Sequence, residues 1–152
     1  MEYEALLKEY DATELIIKEK DLHGSNGRIR GNRIAIKKDI SLRQKTCVLA
    51  EELGHYHTTV GDILDQTDVS NRKQERTARL WAYNKQIGLS GLVHCFEARC
   101  QNIHEMADHL GVTEAFLQDA LECYRQKYGI YTSYQQYTIY FEPKLAICKK
   151  LA

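Results

Sequence analysis

The chain has a single proline, Pro143, and no Pro/Ser-rich or low-complexity tract. Nothing in it reads as an extended linker between large domains. With 152 residues it suits one domain, or one domain with a small appendage. It has no internal repeat, which excludes a solenoid. No apolar run reaches the length of a membrane span. Its five cysteines, Cys47, Cys95, Cys100, Cys123 and Cys148, are odd in number and form no Cys-x-x-Cys pair. That argues against a disulfide framework or a zinc ribbon and for free thiols in a reducing compartment. Net charge is also missing: Lys plus Arg and Asp plus Glu both count 21. The whole-chain charge therefore supplies no pull toward DNA or a membrane, although a local basic patch remains open. The first ten residues, Met1 to Tyr10, are acidic and amphipathic rather than basic and then apolar. No secretory signal is expected, and the expected location is cytoplasmic.

What is present is enough apolar residue for a core, 43% of the chain, in a pattern of short elements. Tyr3, Leu6, Leu7 and Tyr10 recur at helical spacing and predict a first helix over residues 2–11. Leu15-Ile16-Ile17 suits a strand. Ile29, Ile34 and Ile36 flank Gly31-Asn32, which predicts two short strands joined by a tight turn. Ser41 and Gln44 stand at capping-box spacing and open a helix running to about Tyr56, with Gly61 as its terminator. Asn71 and Gln74 repeat that spacing and predict a second helix through Ala78, Trp81 and Ala82 to Ile87, ended by Gly88. Further on, Asn102 opens a short helix ending at Leu110-Gly111, and Thr113 caps a longer one that stops at Gly129. Tyr137 to Phe141 alternates and reads as a late strand. Parallel βαβ alternation is absent, so the class is α+β.

The stretch that carries chemistry is Leu49-Ala-Glu51-Glu52-Leu53-Gly54-His55-Tyr56. A zinc peptidase helix of the H-E-x-x-H type sets two ligands one turn apart, so both face one ion. The glutamate beside the first ligand then serves as general base. Here Glu52 and His55 hold the base and second-ligand positions, and Glu51 stands where the first ligand would be. Glu51 and His55 share a helical face. Glu75, near the start of the next predicted helix, is the candidate third ligand. Ala78 and Ala82 would let its helix approach closely, and Gly54 costs about 1 kcal/mol in a helix interior, which calls for a close-packing or substrate-approach reason. Two carboxylates and one imidazole would hold a divalent metal. That is a harder donor set than two histidines, so manganese competes with zinc.

The run Ala50-Glu-Glu-Leu-Gly-His-Tyr56, Thr58-Thr-Val-Gly-Asp62 and Lys73-Gln-Glu75-Arg-Thr-Ala78-Arg-Leu-Trp-Ala82 resembles the ImmA/IrrE family of metallo-endopeptidases. The resemblance implies a zincin-like metallopeptidase core with a small β-sheet over residues 1–88. It implies a helix-turn-helix-like helical segment with a final strand over residues 89–152, packed on the core. It further implies a divalent metal, Zn²⁺ first, and a protein substrate, a phage or mobile-element repressor. The family has histidine where this chain has Glu51. Either Glu51 ligates, or His55 and Glu75 use another group such as His57 or Asp62, or metal binding is weak and the protein is a non-catalytic module that docks to a repressor. Glu51 ranks first because its geometry needs no distortion of the helix.

Two other features have plainer readings. Tyr131, Tyr134, Tyr137 and Tyr140 recur every third residue and suit an aromatic packing surface. His104 to Gln118 resembles a helix-turn-helix unit, with Ala107, Gly111, Val112 and Leu117 at turn and core positions. Its second helix begins Glu114-Ala-Phe-Leu-Gln-Asp119, so acids would meet the phosphates. A structural or repressor-docking role is expected of this unit rather than DNA binding. Neither DNA nor a membrane is an expected partner.

Overall fold

A computed structural model of the protein describes residues 1–59 and 68–151. The architecture is α+β, and the chain divides into two compact units, Met1–Lys85 and Gln86–Ala152.

The first unit begins with α1 (Tyr3–Glu9), β1 (Ile16–Lys20), β2 (Gly27–Arg30) and β3 (Arg33–Lys37). β2 and β3 form the hairpin expected around Gly31-Asn32, with Gly31 at a left-handed φ of 57°. β1 joins on the other side of β3 and runs parallel to it, giving the order β1-β3-β2. Ile17, Ile34 and Ile29 stand in one row across the sheet. Side chains alternate between faces, so this row sets the inner face, where Ile34 and Ile36 are fully buried.

α1 and α2 (Leu42–Thr58) cover that inner face. α2 starts where expected: Ser41 Oγ accepts from the Gln44 amide at 3.2 Å, and Gln44 Oε1 accepts from the Ser41 amide at 2.9 Å. Leu49 and Leu53 of α2 join Leu6, Ile34 and Ile36 in one core cluster. Each such side chain contributes roughly 1.5–3 kcal/mol by leaving water. α3 (Asp68–Gln86) begins earlier than the Asn71 cap predicted. Asn71 lies one turn inside the helix, so it cannot cap it. The predicted terminator of α2, Gly61, falls outside the described residues.

The second unit contains α4 (Gly88–Glu97), α5 (Ile103–Leu110), α6 (Glu114–Tyr128) and the meander β4 (Tyr131–Tyr134), β5 (Tyr137–Tyr140) and β6 (Ala146–Lys149). Gly88, read as a stop, is also the first residue of α4, with a left-handed φ of 63°. α4 was not foreseen. Its N-cap is Ile87, which makes no side-chain cap. Asn102 and Thr113 cap α5 and α6 as expected, accepting from Glu105 N at 2.9 Å and Phe116 N at 3.1 Å. The tyrosines at every third position are cross-strand pairs of a hairpin: Tyr131 faces Tyr140, and Tyr134 faces Tyr137.

Candidate metal centre

The site is built where α2 meets α3. At Gly54 a β-carbon would run into the carbonyl of Ala78. The two backbones therefore touch there, which accounts for a glycine in the middle of a helix. Ala78 is fully buried at that contact. One residue along α2 lies His55, and one turn before Ala78 on α3 lies Glu75. Their side chains meet, His55 Nε2 to Glu75 Oε2 at 3.2 Å. The other oxygen of Glu75 forms an ion pair with Arg79 Nε at 3.3 Å, an i,i+4 pair.

Glu52 sits half-buried on the same helix. Burial, then the charge of Glu51, then that of Glu75 push its carboxyl up to about 7. Desolvation disfavours the charged form, and two nearby carboxylates disfavour it further. Gly27 of β2 closes over this carboxyl: a β-carbon there would lie 3.0 Å from Glu52 Oε1 and 3.1 Å from its Cγ. Gly27 has no signal in the sequence beyond ordinary turn chemistry, because its role depends on which strand covers α2. Arg79 could have been read from its i+4 spacing to Glu75.

The remaining candidates fall out differently. Glu51 lies half-buried on α2 and acts on Glu52 through its charge. His57 is engaged elsewhere. Its Nε2 is 2.8 Å from the Tyr10 hydroxyl, and its ring stacks on Trp81 at 4.8 Å and 23°. Burial, and secondarily the charge of Lys85, lower its pKa. Asp62 lies outside the described residues. Among the described residues, no set of three or more His, Cys, Asp or Glu side chains is gathered as a metal cage. His55 and Glu75 are the donors in contact. The donor chemistry suits a divalent cation all the same. His55 and Glu75 are in contact, and the charges of Glu51 and Glu75 act on the Glu52 carboxyl, so an imidazole and carboxylates of the kind a divalent cation takes stand near one another.

Among the described residues no helix is long and apolar enough to cross a membrane. No curated protein and no solved structure matches the chain. The family model described as Peptidase M78, IrrE N-terminal-like domain matches residues 10–122, a span that takes in α2, α3 and every described site residue. The chain therefore belongs to the IrrE N-terminal-like family of M78 peptidases.

Proposed function

We propose that the protein is a metal-dependent endopeptidase that cleaves a partner repressor of phage or mobile-element type. In this reading the first unit is a zincin-like core. His55 and Glu75, with Glu51, hold a divalent cation, zinc or manganese, and Glu52 is the general base. The observation that carries the reading is the contact of His55 on α2 with Glu75 on α3, with the half-buried Glu52 carboxyl three residues before His55 on the same helix. When bound, the metal would supply polarisation of the attacking water and of the scissile carbonyl. Glu52 takes the proton that water gives up, holds it on a carboxylate oxygen and delivers it to the leaving nitrogen.

The sheet supports a peptide substrate. β2 is an edge strand, paired among the described residues with β3. Its outer edge can accept an extended chain as an added strand. Gly27 brings that edge directly over Glu52 without a side chain in between. In the second unit, the α5–α6 pair turns through Gly111 at φ 69° into the Thr113 cap. We assign this helix-turn-helix-like pair to repressor docking.

A second reading, a non-catalytic docking module, is favoured by the glutamate at position 51, since it makes the donor set poorer for zinc. Metal analysis of protein purified without chelator separates the two. One divalent ion per chain, lost in His55→Ala and Glu75→Ala and kept in Glu52→Gln, supports the enzyme. Glu52→Gln should then leave a co-expressed phage-type repressor uncut. Absence of bound divalent metal at micromolar supply would remove the enzymatic reading.

A further inference from the structure

The outer face of the β1-β3-β2 sheet is unlike the rest of unit 1. The register places Ile16, Arg33 and Arg30 in one row and Lys18, Ala35 and Arg28 in the next. Lys20 and Lys37 stand opposite each other beyond them. The acid within these three strands, Glu19, lies on the other face, in register with buried Ile36 and bonded to Lys45. Five cations, Lys18, Lys20, Arg28, Arg30 and Arg33, thus line one shallow hollow of about 390 Å³. All five are exposed. None of them forms an ion pair among the described residues. In a chain of zero net charge, this is strong segregation.

We propose that this face binds the phosphate backbone of double-stranded DNA, without reading its sequence. Strands lie about 4.8 Å apart and same-face residues about 6.6 Å apart. The cations therefore cover a patch on the order of 10 Å by 13 Å. Each strand of duplex DNA presents one phosphate per about 3.4 Å of axis, so such a patch meets roughly three to four phosphates of the strand that faces it. The composition selects this partner over others. A protein interface wants an apolar, aromatic-rich centre, and here the apolar members are Ile16, Ala35 and Ile34, the last of them buried. Single strands bind by stacking bases on aromatic rings, and this face has none. Duplex RNA is held in part through its 2′-hydroxyls, and the face has no hydroxyl or amide side chain to meet them. Arginine, three of the five, grips phosphate in bidentate fashion. α2 packs on the inner face, so DNA held outside leaves the Glu52 side of the sheet uncovered.

The test is fluorescence anisotropy of the intact protein with a labelled duplex of arbitrary sequence, titrated between 50 and 200 mM salt. Micromolar binding is expected at the low end. The logarithmic salt slope should be about −3 to −4, since each phosphate contact contributes about −0.9. Arg28→Gln alone should lower that slope by about 1. The quadruple variant Lys18→Gln, Arg28→Gln, Arg30→Gln, Arg33→Gln should lose at least about tenfold in affinity. A matched variant with the three arginines changed to lysine should keep most of the binding. Thermal melts of both establish that they fold. The proposal is overturned if the duplex is not bound at 50 mM salt or if the quadruple variant binds like the parent. It is equally overturned if single-stranded DNA, duplex RNA, polyglutamate or anionic lipid vesicles bind more tightly than duplex DNA.

Discussion

α2 and α6 are both well-capped helices carrying glutamates, yet they treat those glutamates in opposite ways. On α6, Glu122 stands exposed and takes two hydrogen bonds from Arg125, at 2.6 and 2.9 Å. These bonds, the largest influence, hold its carboxyl down to about 2. On α2, Glu52 is half-buried beside two other carboxylates and is pushed up to about 7. The first arrangement lets the fold keep a charge. The second makes the fold work against one, and that imbalance is what a cation or a proton can relieve. The position of a perturbed acid thus separates a structural helix from a chemical one more sharply than its sequence does.

The largest way to break the comparison is to part α2 from α3. Gly54→Ala drives a β-carbon into the Ala78 carbonyl, a backbone atom that cannot step aside. It should destabilise unit 1 by about 3 kcal/mol, at the upper end of overpacking costs. It should also separate His55 from Glu75 and weaken metal retention. Gly91→Ala in α4 is the control. There the β-carbon meets the movable Leu110 Cδ2 at 3.2 Å. Its cost should be offset by the roughly 1 kcal/mol gain in helix propensity, leaving a net change under about 1 kcal/mol. Urea unfolding of both variants checks the contrast, and equal losses would mean that the α2–α3 contact is not special.

Next comes Glu52→Gln in the metal-free protein. The folded value, about 7, lies above the ordinary carboxyl value of 4.5. Below the unfolded value both states are protonated and the residue has no effect. Between the two values the folded state holds the extra proton, so stability falls as pH rises. Above about 7 the full penalty is in force, on the order of 2 kcal/mol for a partly solvated group. Glu52→Gln should therefore stabilise the metal-free protein at pH 8 and leave it unchanged at pH 4. A stability gain that does not vary with pH would show that burial of this charge is not its source.

The contrast between two neighbouring glutamates sharpens the site itself. Glu51→His should tighten zinc binding and Glu51→Ala should weaken it, each by about tenfold or more, because imidazole suits zinc better than carboxylate. Glu52→Gln should change cleavage and leave metal content alone. Two surface glutamates with no shared site would give no difference between the positions. Isothermal titration with zinc decides it.

What could be read from the residues was local. The Ser41–Gln44 box, the Asn102 and Thr113 caps and the Gly31 turn are short-range chemistry, and each stands where the spacing put it. Gly54 and Ala78 were legible because a glycine inside a helix needs a reason. The rest depended on long-range pairing or on atypical residues. The β4–β5 hairpin turns through Gln135 at φ 52°, a conformation that glycine or asparagine usually signals. α4 has no side-chain cap to mark its start. The parallel pairing of β1 with β3, and hence the basic outer face, follows from a strand order that no local pattern encodes. Gly27 over Glu52 is a consequence of that same order.

The smallest effect belongs to the other half of the comparison. Glu122 has its pKa lowered by Arg125, so its contribution has the opposite sign to that of Glu52. It is present above the unfolded carboxyl value and is lost as pH falls toward the folded value of about 2. The pair is exposed, so water and salt screen it. Arg125 also keeps a second partner, Glu142, at 2.8 Å, so removing Glu122 leaves no orphaned guanidinium. Glu122→Gln should therefore lower the melting temperature slightly at pH 7 in low salt. The gap from the parent should narrow as pH drops below 4 and should close in 1 M salt. Glu52→Gln, by contrast, should be insensitive to salt and should raise stability at alkaline pH. Differential scanning calorimetry of the two variants over pH 3–8 reads both signs in one series. A shift of the same sign for both would mean that the two helices handle their acids alike, and the division between a structural and a chemical helix would have to be abandoned.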